Sequence, residues 1–155
     1  MNGPRIVEFF SLSVPEQAHW LDEIGRGDWR AAAFLHDRLA EGIFRQRYGA
    51  SARLLLAVSE NGALMGFCTL TEREDLVDID LCPWIGFVYT FPAYRGHRLS
   101  ESLIKHVCTL ARGDGYSRVY LSSNEIGLYE KYEFEFVRTA RDIWGGETKV
   151  YGRAA

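Results

Sequence analysis

Between residues 84 and 112 the hydrophobic pattern changes its period across one short turn, and that change restricts the fold more than any other feature of the chain. WIGFVYTF (84–91) is a near-continuous apolar and aromatic run of strand length. In LSESLIKHVCTLAR (99–112), Leu99, Leu103, Ile104, Val107, Leu110 and Ala111 recur at helical spacing, Glu101 and Lys105 stand four apart on the outer face, and Gly113 and Gly115 follow as terminators. The turn between them, PAYRGHR (92–98), sets Arg95, His97 and Arg98 around Gly96. A strand must therefore feed a helix through a tight, basic turn, which predicts an α/β chain.

The other segments supply layers for this unit. IVEFF reads as a first strand, and Pro15 opens a helix running to about Ile24 with Trp20, Leu21 and Ile24 inward. A second helix is expected from Asp28 as N-cap, with Ala32, Leu35, Leu39 and Ile43 as its stripe. RLLLAVSENGALMGFCTL places two apolar strands around Asn61-Gly62, the pair preferred by a type I′ hairpin because both central residues need positive φ. EREDLVDIDL is acidic and irregular. SRVYLSS reads as a strand, IGLYEKYEF as a short helix, and EFVRTARDIW with ETKVYGR as a closing hairpin. The order predicts one domain, 1–155, with a mixed sheet of about seven strands covered by helices on both faces.

Composition narrows the class further. With 155 residues and 47% hydrophobic content the chain can bury one substantial core. No apolar run reaches the roughly 18 residues of a spanning helix, so no membrane role is expected. MNGPRIVEFFSLS, with one arginine and a short apolar patch, does not read as a signal peptide. Cys68, Cys82 and Cys108 are odd in number and lack ligand spacing, which predicts a reduced, cytoplasmic setting with thiols packed as small apolar groups. His19, His36 and His106 have no partner at ligand spacing, so no metal is expected. A net charge of −3 argues against nucleic acid, while leaving a polyanionic small molecule for the locally basic turn.

A helix N-terminus presents unpaired N–H groups and a partial positive charge of about half a unit, which suits a phosphate. Gly96 allows close approach to a ligand, Arg95, His97 and Arg98 add charge, and Ser100 offers a hydroxyl. On these grounds alone an anion seat and a plain surface turn with solvated arginines fit equally.

The run VYTFPAYRGHRLS (88–100) resembles the acetyl-CoA-binding motif of the GNAT superfamily of acetyltransferases, where a strand ending V-x-P-x-x leads into a Q/R-x-x-G-x-G/A turn and a helix. Arg95 falls on the Q/R position and Pro92 on the proline. Arg98 stands where a second glycine is usual, and Ser100 where Gly or Ala is usual. SSNEIGLYEKYEFEFV (122–137) resembles the second signature of that family, N…LYEK-x-GF, with Tyr129 on its tyrosine and Glu133 in place of its glycine. Asn124 lies closer to the tyrosine than the commonest spacing.

The resemblance implies the GNAT acyl-CoA N-acyltransferase fold, a central, mostly antiparallel sheet in which parallel strands 84–91 and 117–122 splay apart. It implies acetyl-CoA as cosubstrate, with backbone groups of Val88, Tyr89 and Thr90 on the pantetheine arm. The pyrophosphate would rest near Arg95, Gly96, His97, Arg98, Leu99 and Ser100, with Asn124 nearby and the Arg98 side chain directed outward as at a helix N1 position. Tyr129 becomes the candidate general acid for the departing thiolate; a core aromatic is the alternative. The expected activity is direct acetyl transfer to a primary amine of a small molecule or peptide, without a covalent enzyme intermediate. A non-catalytic acyl-CoA-binding module is the alternative.

For the acceptor side, Glu72, Glu74, Asp75, Asp78 and Asp80 form the acidic segment between two strands. Glu72, Asp78 and Asp80 are taken forward as candidates for binding a cationic amine, with Trp84 from the aromatic alternation Trp84, Phe87, Tyr89, Phe91. The C-terminal hairpin is a candidate homodimer surface.

Overall fold

A computed structural model describes residues 4–155; Met1 to Gly3, part of the stretch read above for a signal peptide, lie outside the described residues. The chain forms β1 (Arg5–Glu8), a 3-10 turn (Phe9–Ser11), α1 (Val14–Ile24), α2 (Arg30–Ala40) and α3 (Phe44–Tyr48). Then follow β2 (Arg53–Val58), β3 (Leu64–Thr71), β4 (Leu76–Val77), β5 (Trp84–Thr90), a 3-10 turn (Pro92–Tyr94) and α4 (Leu99–Gly113). β6 (Arg118–Ser123), a 3-10 turn (Tyr129–Tyr132), β7 (Glu135–Asp142) and β8 (Glu147–Ala154) complete it.

The eight strands form one sheet in the order β1-β2-β3-β5-β6-β8-β7-β4. Every neighbouring pair is antiparallel except β5 and β6. The expected mixed sheet, mostly antiparallel with two parallel strands, is present. β2 shows why its sequence, RLLLAV, lacks a polar face. Leu54, Leu56 and Val58 pack with Trp20, Ile24, Leu35 and Phe44 of α1, α2 and α3. Leu55 and Ala57 pack on the opposite side with Leu103, Ile104 and Val107 of α4. Successive side chains point to opposite faces, so a strand covered on both must be apolar throughout.

Several expectations shift. The first strand ends at Glu8, and Phe9 and Phe10 turn away from it. Ser13 caps α1 in a capping box with Glu16. α2 is capped by Trp29, not Asp28, and stops at Ala40 because Gly42 adopts φ +74; the Ile43 turn belongs to the separate α3. The β2–β3 hairpin exists, but only Gly62 of the Asn61-Gly62 pair has positive φ. Its turn is longer, closed by Gly62 N–H to Ser59 O at 3.0 Å and Ser59 N–H to Ala63 O at 2.9 Å. The acidic segment contributes the short β4, which pairs with β7 and makes an eighth strand. The segment 126–134 forms only one 3-10 turn.

Candidate active site

β5 and β6 pair only at their start, through Trp84 and Tyr120, with Tyr120 N–H bonded to Pro83 O at 3.1 Å. Beyond that point they part. On the other side of β5 the register with β3 slips. Phe67 faces Tyr89 and Thr69 faces Gly86, so Phe87 and Val88 share one partner, Cys68, and Phe87 takes φ +47. Such a bulge bends its strand and leaves the extra residue outside the ladder. β6 meanwhile turns to pair with β8 through Ser123. The result is a gap of about 570 Å3 bordered by Ile85 to Thr90 on one side and Leu121 to Glu125 on the other, with Asp28, Arg95 and Tyr129 at its edges.

At the outer end of the gap β5 runs through the Pro92–Tyr94 turn into α4. Gly96 has φ +87 with open space beside it, so its conformation, rather than crowding, calls for glycine. The next left-handed residue is Arg98, at φ 60 and ψ 32, and it is the N-cap of α4. This corrects the N1-like placement and gives the physical reason why a glycine suits this position. The Arg98 side chain points outward, its Nε 2.6 Å from Glu101 Oε2. No side chain caps the helix, so the N–H groups of its first turn have no intrahelical acceptor and stand open to an anion. That uncapped terminus beside an unobstructed Gly96 fits a pyrophosphate. Leu99 is buried beneath it, while Gly96 and His97 are exposed. The Ser100 hydroxyl is 3.0 Å from Tyr132 Oη.

Arg95 folds back across the gap. Its Nε donates to Thr90 O at 2.9 Å, and a terminal nitrogen lies 3.3 Å from Asp28 Oδ1. Tyr89 completes this knot. Its hydroxyl donates to the Asp28 carboxylate and accepts the Asp28 N–H at 3.0 Å. Donation from Tyr89, aided by Arg95, holds the Asp28 carboxyl below its usual pKa. Trp29 stacks on the Tyr89 ring at 5.6 Å, the planes within 4°. The α1–α2 loop is thus fastened to β5 beside the gap, a use of Asp28 that its helix-cap chemistry did not reveal.

Tyr129, in the 3-10 turn after β6, sits edge-on to Phe134 at 6.0 Å and to Tyr132 at 6.4 Å. Burial, with the Glu125 charge adding to it, pushes its phenol up to about 12. The group keeps its proton throughout the neutral range, the state a donor requires.

A second cavity of about 750 Å3 opens from the first and shares Trp29, Phe87, Ser122, Asn124 and Thr148 with it. Its remaining walls come from the start of α2, from Glu74 to Leu76, and from Asp142 and Trp144 in the β7–β8 turn. Glu74 is the carboxyl of this lining whose protonation is most altered by its surroundings. Burial raises its carboxyl to about 7, against the Asp75 N–H at 3.0 Å and the Ser122 hydroxyl, which favour the ionised form. A carboxyl poised there suits proton abstraction at neutral pH.

The structure brings Val88, Tyr89, Thr90, Arg95, Asn124 and Tyr129 to the gap and places Gly96, His97, Arg98, Leu99 and Ser100 at the adjoining turn and helix start. The four acceptor-side candidates lie elsewhere. Trp84 is 1% exposed, packed with Ala140 and Val150, and its Nε1 donates to Leu81 O. Glu72 accepts from the Ser51 hydroxyl at 2.8 Å over Gly49. Asp78 and Asp80 face solvent. The larger cavity is lined instead by Glu74, Phe34, Phe87 and Trp144 among others. Among the described residues no group of three or more His, Cys, Asp or Glu side chains is arranged to hold a metal, and no helix is long and apolar enough to cross a membrane.

No curated protein matches the chain in sequence. In structure it is similar to an acetyltransferase from Streptococcus agalactiae, at 20% identity over 100% of both chains with a TM-score of 0.66. It is also similar to YhbS of Escherichia coli, a GNAT family N-acetyltransferase solved in complex with CoA. There the identity is 19% over 98% of this chain and 82% of that one, with a TM-score of 0.66. A GNAT-family acetyltransferase from Staphylococcus aureus matches at 13% identity over 97% of this chain and 98% of that one, TM-score 0.59. Likeness at these identities speaks for the fold. The model of the Acetyltransferase (GNAT) family matches residues 16–134, a span that holds the bulged strand, the left-handed turn and the half-buried phenol, and the chain belongs to that family.

Proposed function

We propose that the chain transfers the acetyl group of acetyl-CoA directly to a primary amine, with Glu74 as general base and Tyr129 as donor to the departing thiolate. The observation that carries this reading is their placement. A carboxyl near pKa 7 lines the larger cavity and a protonated phenol lines the gap, and the two spaces meet where β5 leaves β6.

The pyrophosphate would sit on the open first turn of α4 and the pantetheine arm along Val88 to Thr90 as a substitute strand. An acceptor arriving as an ammonium gives one proton to Glu74. Its nitrogen then attacks the thioester carbonyl carbon, forming the C–N bond. A backbone N–H freed at the Phe87–Val88 bulge would meet the developing oxyanion, and one such donor is worth about 3 kcal/mol in acyl transfer. The C–S bond breaks with its electron pair on sulfur, and the second nitrogen proton passes to solvent as the amide forms. Full proton transfer from a phenol near 12 to a thiolate of ordinary pKa, about 8.5, runs uphill. Tyr129 therefore serves by hydrogen-bond donation, and the thiolate takes its proton through solvent.

Departures at Arg98 and Glu133 would favour a non-catalytic binder if they distorted the site. Both residues instead hold the left-handed conformation of a glycine, at φ 60 and φ 72, which supports the enzyme reading. Thiol release from acetyl-CoA with an amine panel tests it: release that depends on both an amine and Glu74 is expected, and tight acetyl-CoA binding without release overturns it.

A further inference from the structure

The larger cavity also describes its acceptor, given the acetyl-transfer reading above on which this step rests. Phe34 forms the middle of an aromatic wall. Phe87 stacks against it at 6.3 Å, Trp144 meets it edge-on at 5.6 Å, and the Arg38 guanidinium covers its ring at 4.1 Å. Trp144 is 65% exposed, unusual for a tryptophan that closes a cavity rather than a core. Exposed apolar surface of this kind, rimmed by polar groups, marks a place where a ligand's apolar body lies.

The charges point the same way. Three carboxylates border the cavity, those of Glu74, Asp75 and Asp142. Asp75 is bound by Arg47 at 3.0 Å, with Arg38 at 4.0 Å. Asp142 Oδ1 accepts the Trp144 and Gly146 N–H groups at 2.9 and 2.8 Å, which shapes the β7–β8 turn. Arg30 adds a guanidinium to the lining. Asp75 is thus held by guanidiniums and Asp142 by the backbone N–H groups of its own turn, which leaves Glu74 as the carboxyl of this lining free to receive an ammonium. A second ammonium would meet the Arg30 guanidinium and carboxylates that are already engaged.

We infer that the acceptor is a small monoamine on a flat aromatic or branched apolar body, which lies on Phe34, Phe87 and Trp144 and presents its nitrogen to Glu74. Steady-state acetylation of tryptamine and phenethylamine is compared with that of spermidine and kanamycin on the full chain. The expected result is a kcat/KM at least about tenfold higher for the aromatic monoamines, as one well-packed apolar contact supplies. Trp144→Ala, at an exposed site that leaves the core intact, is expected to lower kcat/KM for tryptamine about tenfold more than for propylamine. Equal losses for the two amines overturn the aromatic wall as the specificity device. Preference for spermidine or kanamycin overturns the monoamine inference while acetyl transfer stands. No turnover of any amine by chain that binds acetyl-CoA overturns both.

Discussion

Glu74 and Thr69 face one another across Gly86: a Cβ built on that glycine would lie 3.1 Å from Thr69 Oγ1 and 3.5 Å from Glu74 Oε2. The Thr69 hydroxyl is fully buried and has no hydrogen-bond partner. Glu74 thus sits in a confined polar recess at the start of the β5–β6 gap, and confinement is what raises its pKa. If Glu74 is the base, kcat/KM climbs with pH through an inflection near 7. Glu74→Gln should lower kcat/KM by roughly 100-fold and remove that inflection. A variant that retains the wild-type inflection assigns the base elsewhere.

The same carboxyl makes a stability prediction of defined sign. Its folded-state pKa, about 7, lies above the ordinary glutamate value of 4.5, so the folded chain holds this proton more tightly than the unfolded one. Stability contributed at this site falls as pH rises from about 4.5 to about 7 and stays low above. Glu74→Gln removes the penalty and should stabilise the chain by roughly 2 kcal/mol at pH 8, with little effect at pH 4.5. Denaturant unfolding at the two pH values checks the difference; destabilisation at pH 8 would show that the ionised carboxylate is held by partners.

If Tyr129 serves the reaction only as a hydrogen-bond donor to the departing sulfur, its loss separates turnover from binding. Tyr129→Phe should reduce kcat roughly 10- to 100-fold and change the KM for acetyl-CoA less than about twofold. Unchanged kcat, measured by thiol release, returns Tyr129 to the role of a core aromatic.

Arg98 and Glu133 occupy left-handed backbone without being glycine. Their ion pairs, Arg98 with Glu101 and Glu133 with Arg153, are largely solvent-facing and contribute little. Arg98→Gly and Glu133→Gly should each stabilise the fold by up to about 1 kcal/mol, the left-handed cost offset in part by a freer unfolded chain. Thermal unfolding of the single variants checks this, and a loss of stability in both would contradict the assigned conformations.

The strand–turn–helix junction was legible because a change of period, a glycine and a cluster of basic residues all lie within a dozen positions. The acceptor side was not, and the bulge explains why. Ile85 and Val88 pack on the same α4-facing core although three residues apart, because an extra residue reverses the alternation of every side chain after it. Alternation carried straight through 84–91 therefore sent Trp84 to the cleft and concealed the role of Phe87. Glu74 had no local mark among its four acidic neighbours. Only tertiary pairing distinguishes them, with Glu72 drawn to Ser51, Asp75 to Arg47, and Asp78 and Asp80 left in solvent. Asp28 looked like a helix cap, yet its partner, Tyr89, is distant in sequence and reached only once β5 lies beneath α2.

Calorimetric titration of the purified, folded chain with acetyl-CoA tests the central claim most directly, that the left-handed turn at Gly96 and the open helix terminus after it hold the cosubstrate's diphosphate. The account predicts saturable one-to-one binding that weakens at least about tenfold in Gly96→Val, since a β-branched residue resists positive φ. Absence of binding heat and of any thermal stabilisation by acetyl-CoA, or equal affinity in Gly96→Val, would contradict it.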